Sequence, residues 1–160
     1  SIKKPNVEYK NYDEPLNDSS PTVVISPYAP NGSPLWLRII DISIGLGMNR
    51  GTKKQEIDDA LKSFLAEYAL EWRQVGSICS FEAKGDEIGL LEFCDGVGIK
   101  PKFFKKEDIN SLQNDFSPSR AADFFGIKGV AEPSAILGSK YKELFIKKRV
   151  YGGVTVAAAF

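Results

Sequence analysis

Histidine is absent from the 160 residues, and cysteine occurs only twice. Without histidine the commonest general base is gone, together with serine-type triads and most zinc sites. Acid–base chemistry must then use Asp, Glu, Lys, Tyr or Cys. Cys79 and Cys94 are too few for a disulfide framework, so a reduced, cytoplasmic setting is the default. No apolar run approaches the length of a membrane-spanning helix, and no signal peptide is visible. An excess of either charge is also missing: Lys plus Arg and Asp plus Glu are 21 each. A balanced charge argues against a general binder of nucleic acid or membrane surface. The chain begins with Ser1 instead of Met, which points to a fragment or a processed chain. Its length suits one domain with a sizeable core.

The richest stretch is residues 39–68, "IIDISIGLGMNRGTKKQEIDDALKSFLAEY". The β-branched run Ile39, Ile40, Ile42, Ile44 predicts a buried strand. A glycine turn, residues 45–51, follows it. A helix is expected from Thr52, with Thr52 and Gln55 at N-cap and N3 spacing. Ile57, Ala60, Leu61, Phe64, Leu65 and Tyr68 form its apolar stripe, which would dock on a sheet.

Glycines between a strand and a helix let backbone approach a ligand, and the free N–H groups at the helix start attract an anion. The dinucleotide pattern G-x-G-x-x-G fails here, because position 50 is Arg and the third glycine, Gly51, comes one place late. The order in "RGTKK" also excludes a P-loop. Spacing alone fits a plain tight turn. Arg50, Lys53 and Lys54 beside the helix start favour an anion.

Residues 1–38 differ from the rest. Pro5, Pro15, Pro21, Pro27, Pro30 and Pro34 punctuate them, and only "TVVIS" at 22–26 reads as a strand. This region is expected to be a linker or the tail of an upstream module, wrapped onto the main domain by that strand. Further on, residues 75–81 and 100–104 read as strands. Asp86 and Glu87 open a helix with Ile88, Leu91, Cys94 and Val97 on its apolar side, ended by Gly96 or Gly98. Short helices are expected at 105–112, from Ser117-Pro118 to Gly126, and over "VAEPSAIL". The chain closes with a hairpin turning at Gly152-Gly153, whose last strand is apolar on both faces and therefore central. Alternating strands and helices define an α/β fold, a mixed sheet with helices on both faces and a closing C-terminal hairpin.

Four stretches in order, "IGLGMNRGTKKQEIDDAL", "EAKGDEIGLLEF", "FSPSRAADFFGIKGVAEPSAIL" and "VYGGVTVAAAF", resemble the C-terminal domain of the cobalamin-biosynthesis CbiG/CobE family. The resemblance covers residues 39–160, about three quarters of the chain. It implies a hydrolase of the cobalt-precorrin-5A type, acting in the anaerobic route to vitamin B12. Such an enzyme opens a δ-lactone on a cobalt-containing tetrapyrrole, releases acetaldehyde and contracts the ring. Cobalt would arrive with the substrate, so no cofactor and no protein-held metal is expected. It also implies that residues 1–38 end a middle region, with an N-terminal domain of the full enzyme absent from this chain. The family's turn reads Gly-x-Gly-Cys-x-x-Gly. Met48 stands at the Cys position, which excludes a catalytic thiol there.

A substrate with many carboxylates needs cations and free N–H groups. Gly45, Gly47, Arg50, Gly51, Thr52 and Lys53 are the expected binding residues, with Thr155 on the last strand either facing the site or simply packing. Lys53 fits a solvated helix face equally well. Lactone opening needs an activated water and oxyanion stabilisation. Lys84 and Glu87 match the family's Lys-x-x-Glu-x-Gly-Leu pattern, which makes Glu87 the candidate base and Lys84 the oxyanion partner or carboxylate clamp. The same two residues also fit a surface ion pair at a helix start. Glu132 follows the same logic as Glu87, or braces backbone near Gly129. Ser119 reads as structural, beside the helix cap. Two other readings stay open: a non-catalytic tetrapyrrole carrier or scaffold, and a generic anion- or nucleotide-binding domain. A homo-oligomer is compatible with all of them.

Overall fold

The computed structural model describes residues 23–27, 35–118 and 124–160, except for the side chain of Trp36. The chain divides into two units after Ile39. In the first, β1 (Val23–Ser26) and β2 (Leu35–Arg38) pair in parallel, with Val23 opposite Leu35 and Ser26 opposite Arg38. This corrects the expectation of only one strand in this region: the "TVVIS" strand forms a two-stranded sheet with β2, which follows directly on Pro34.

The second unit is built on a five-stranded sheet. Its strands are β3 (Ile42–Met48), β4 (Val75–Phe81), β5 (Lys102–Phe104), β6 (Leu144–Tyr151) and β7 (Val154–Ala159). Their order is β5-β4-β3-β7-β6. The first three run parallel, and the closing hairpin adds β7 antiparallel to β3 and β6 antiparallel to β7. The mixed sheet and the central place of the apolar last strand are as expected.

Helices cover both faces. Along β3, Ile42, Ile44 and Leu46 share one face and are fully buried with Ile57, Leu61 and Phe64 of α1 (Lys54–Glu67). Helix α2 (Ile88–Val97) packs beside α1 on this side. The opposite face carries α3 (Lys106–Ser111) and α4 (Ala131–Gly138), with Ala131, Ala135 and Ile136 against Ala157 and Ala159. Among the described residues no helix is long and apolar enough to cross a membrane.

Several expectations shift. The first strand is not 39–44 but 42–48, so Gly45 and Gly47 lie inside it instead of in the turn. The reason is packing: a Cβ on Gly45 would lie 1.8 Å from the Ala131 carbonyl oxygen, so the bare backbone is what lets α4 lie on β3. A Cβ on Gly47 would meet Thr155 Oγ1 at 2.5 Å. Helix α1 starts one residue later than expected, with Lys53 in place of Thr52 as N-cap, in extended conformation. The side-chain cap bond comes from Glu56, whose carboxylate accepts the Lys53 N–H at 2.9 Å, and not from Thr52 and Gln55. The apolar side of α2 is Gly89, Leu90, Phe93 and Cys94, while Ile88 and Leu91 face outward. Gly98, in left-handed conformation, ends it. The helix expected from Ser117-Pro118 runs through residues 119–123, which lie outside the described residues, as does Ser119.

Candidate active site

Strands β3 and β4 are parallel neighbours, so the loops that leave them for α1 and α2 emerge at the same end of the sheet, where α/β folds bind ligands. The first loop is a tight turn over residues 49–53. Gly51 takes φ of +74°, which favours glycine. Thr52, buried, donates its hydroxyl to the Asn49 carbonyl at 2.9 Å and closes the turn. The second loop passes through a single 3₁₀ turn, Glu82–Lys84, to Glu87, the N-cap of α2.

Glu87 joins the two loops. Its Oε2 accepts the Gly51 N–H at 3.0 Å, and its Oε1 accepts from Lys84 Nζ at 3.0 Å. Arg50 Nε lies 3.3 Å from the same Oε1. Arg50 also grips Asp86 at 2.6 Å through Nη1 and the Ala83 carbonyl at 3.1 Å through Nη2. Lys84 and Glu87 are buried, only 9% and 4% exposed, so the pair is not the surface ion pair that the helix start would also allow. Burial by itself would push the Glu87 carboxyl up. The Gly51 N–H, Lys84 and Arg50 together outweigh it and hold the group below the usual carboxylate range. Asp86 is held low as well, chiefly by its hydrogen bond from Arg50.

Gly89 completes the joint. A Cβ there would fall 2.1 Å from the Thr52 carbonyl oxygen, so the starts of α1 and α2 touch through bare backbone. Between them opens a cleft of about 570 Å³, lined by Arg50, Gly51, Thr52, Lys53, Lys54 and Gln55 on one side and Asp86, Glu87, Ile88, Gly89 and Glu92 on the other. Two helix N-termini border it, a setting that favours anions. Arg50 spends its charge on Asp86 and Glu87. Lys53 and Lys54 make no ion pair among the described residues; Lys53 is exposed at the cleft, while the Lys54 side chain runs along α2 and lays its ammonium against Gly96 in the last turn.

The structure therefore brings together Arg50, Gly51, Thr52, Lys53, Lys84 and Glu87. It places Gly45, Gly47, Thr155 and Glu132 on the α4 side of the sheet. The Thr155 hydroxyl donates to the Gly47 carbonyl at 3.1 Å. Glu132, 3% exposed, accepts from Ser117 N–H at 2.7 Å, Ser117 Oγ at 2.8 Å and Lys148 N–H at 2.9 Å. The Lys148 amide sits in a register break of β6, where residues 147 and 148 stand between the Ile146 and Arg149 pairings. Glu132 thus braces a bulge and a loop. The sequence reading did not single out Asp86, Gly89 and Glu92 for the site, and treated Ile88 as core. Only the Arg50–Asp86 charge match offered a signal, and a separation of 36 residues hid it.

A mixed α/β domain with a charged cleft at the carboxyl ends of two parallel strands is the class that this geometry defines. The family described as cobalamin synthesis G C-terminus matches residues 42–159, and the chain belongs to that family. A cobalt-precorrin-5A hydrolase of Priestia megaterium is 33% identical over 118 residues, which are 74% of this chain and 32% of that protein. The chain thus corresponds to about a third of the length of this curated relative. The solved structure of CobE, a protein from the cobalamin (vitamin B12) biosynthetic pathway, superposes with a TM-score of 0.68 at 19% identity, covering 74% of this chain and 91% of that one. A cobalamin biosynthesis protein G homolog from Sulfolobus solfataricus gives 0.58 at 25% identity, over 77% of this chain and 37% of its own.

Proposed function

We propose that residues 39–160 form the C-terminal domain of a cobalt-precorrin-5A hydrolase, with residues 1–38 the tail of an upstream region, and that the cleft between the α1 and α2 starts holds the cobalt-tetrapyrrole substrate. Homology to the hydrolase supplies the substrate class. The observation that carries the assignment of the cleft is the convergence of Arg50, Lys84 and Glu87 where two helix N-termini meet. Substrate carboxylates are drawn by Lys53 and the helix starts. Arriving there, a carboxylate competes with Glu87 for Arg50, and the lactone oxygen competes for Lys84. That competition frees Glu87 Oε1 to accept a proton from the water that attacks the lactone, and leaves Lys84 to stabilise the oxyanion. Opening the lactone forms a new carboxylate, for which Lys84 is the ready partner.

One observation favours a second reading. In the free protein both Glu87 oxygens are engaged and its pKa is lowered, which suits a clamp better than a base. In that reading the domain binds the tetrapyrrole without turning it over. Anaerobic incubation with cobalt-precorrin-5A separates the two. Acetaldehyde release supports the hydrolase, binding without release supports the carrier, and neither binding nor release rejects both.

A further inference from the structure

We infer that the exposed face of the β1–β2 pair, made of Val23, Ile25, Leu35 and Leu37, is the seat on which the region preceding this domain in a hydrolase chain packs an apolar surface. The inference rests on the reading of residues 1–38 as the tail of an upstream region, and says what that tail docks against. Side chains alternate along a strand, and the parallel register sets Val23 beside Leu35 and Ile25 beside Leu37. All four therefore share one face. They are 54%, 69%, 63% and 50% exposed in that order of number. The opposite face is better covered: Ser26 is buried, and Val24 and Arg38 are half-buried. Single exposed aliphatic residues are ordinary on a protein surface, but four in register on one parallel pair are not. Parallel strands occur almost only in sheets with both faces covered, and two strands alone bury too little to stand in water.

The size of the face and its place in the chain select the occupant. The family match begins at residue 42, just after β2 ends at Arg38, and its description places that domain at the C-terminus. The stretch shared with the Priestia megaterium hydrolase is 32% of that protein, so most of that protein lies outside it. A separate partner or a second copy fits less well. A stable interface between free proteins buries roughly 800 Å² on each side, more than four aliphatic side chains present. A covalently joined region needs far less, because its linker holds it at an effective concentration on the order of millimolar. The face carries no charge to pair, so a charged surface laid on it would lose its water without compensation, and an apolar one would not.

The test compares the 160-residue chain with the complete product of its gene, each followed by amide hydrogen exchange and by a dye that fluoresces on apolar surface. In the 160-residue chain the β1 and β2 amides should exchange fast and the dye should bind. In the complete product the same amides should slow by roughly tenfold or more, the worth of covering one such side chain, and the dye signal should fall. The double variant Ile25→Thr, Leu37→Thr keeps strand propensity and removes apolar surface. Made in the complete product, it should return both readouts to those of the 160-residue chain. Exchange in β3 and β4, expected unchanged, separates lost docking from lost fold. The inference is overturned if β1 and β2 exchange alike in the two chains, or if the double variant stays as protected as the complete parent. It is also overturned if light scattering shows the 160-residue chain as a dimer that the double variant dissociates, since a second copy would then cover the face. A gene product with no region ahead of residue 1 overturns the upstream reading itself, and this inference with it. None of these outcomes bears on the cleft assignment.

Discussion

The Glu87 carboxylate accepts the Gly51 N–H at 3.0 Å, so the cap residue of one helix closes the turn that leads into another. The protein thereby fills part of its own anion site. Gly51, expected to offer a free N–H to a ligand, instead donates to a buried carboxylate that Lys84 and Arg50 hold ionised. A ligand must compete for these cations or use the open Lys53 beside them.

Replacing Glu87 by Gln keeps its shape and removes its charge. In a turnover-competent chain, acetaldehyde release should fall by about 10²–10⁴-fold, the usual worth of general base catalysis, while substrate binding is kept or tightened, since Arg50 and Lys84 no longer hold a competing carboxylate. Full turnover by the variant would reject Glu87 as the base.

The same carboxylate should make stability depend on pH. Its folded pKa lies below the ordinary value of 4.5, so the unfolded chain binds its proton first as pH falls. The stabilisation is fully present above about pH 4.5 and is lost as pH drops through the folded value. Urea unfolding of the parent should therefore weaken more steeply below that pH than unfolding of Glu87→Gln. Parallel slopes would show that Glu87 contributes no charge-linked stability.

Arg50→Ala removes the guanidinium from both Asp86 and Glu87. It should weaken tetrapyrrole binding by about 1–3 kcal/mol if Arg50 passes to a substrate carboxylate. Titration with uroporphyrin, a tetrapyrrole carrying carboxylates, checks this, and an unchanged affinity would leave Arg50 only its role in bracing the loop.

Glu132→Ala should behave in the opposite way. It orphans the Ser117 and Lys148 amides, so unfolding should become easier by about 1–3 kcal/mol while uroporphyrin affinity stays at the parent level. Faster hydrogen exchange at the Lys148 amide would locate the damage. Lost affinity with unchanged stability would return Glu132 to the binding site.

The two thiols should be inert while the fold holds. Burial pushes Cys94 up to about 12 and raises Cys79 as well, so neither offers thiolate near neutrality. Iodoacetamide at pH 8 should leave both unmodified in the native protein and label both in denaturant. Rapid native labelling would mean that α2 opens locally.

Much of the fold was legible in local pattern. The stripe of Ile57, Leu61 and Phe64 marks a helix that packs on one side, and those residues are fully buried where they were expected. Val75–Phe81 is the strand its composition describes, and the hairpin around Gly152-Gly153 follows from turn chemistry. Signals of this kind lie within a few residues of one another, so the chain carries them before it folds. The pairing of Lys84 with Glu87 belongs here too, three residues apart on the approach to a helix.

Tertiary structure alone decided what the glycines are for and which charges meet. Gly45 and Gly47 look like a ligand cradle in sequence, but α4, arriving from 86 residues further on, needs the space at Gly45 and turns that glycine into a packing surface. Glu132 resembles Glu87 in sequence, yet one falls beside a strand bulge and the other between two helix starts. Ile88 and Leu91 fit an apolar stripe as well as Leu90 and Phe93 do, and only the position of α1 selects the face that is buried. A local pattern specifies an element and its periodicity. The neighbour that a residue meets is set by how distant elements pack, and that packing brings Arg50 to the Lys84–Glu87 pair.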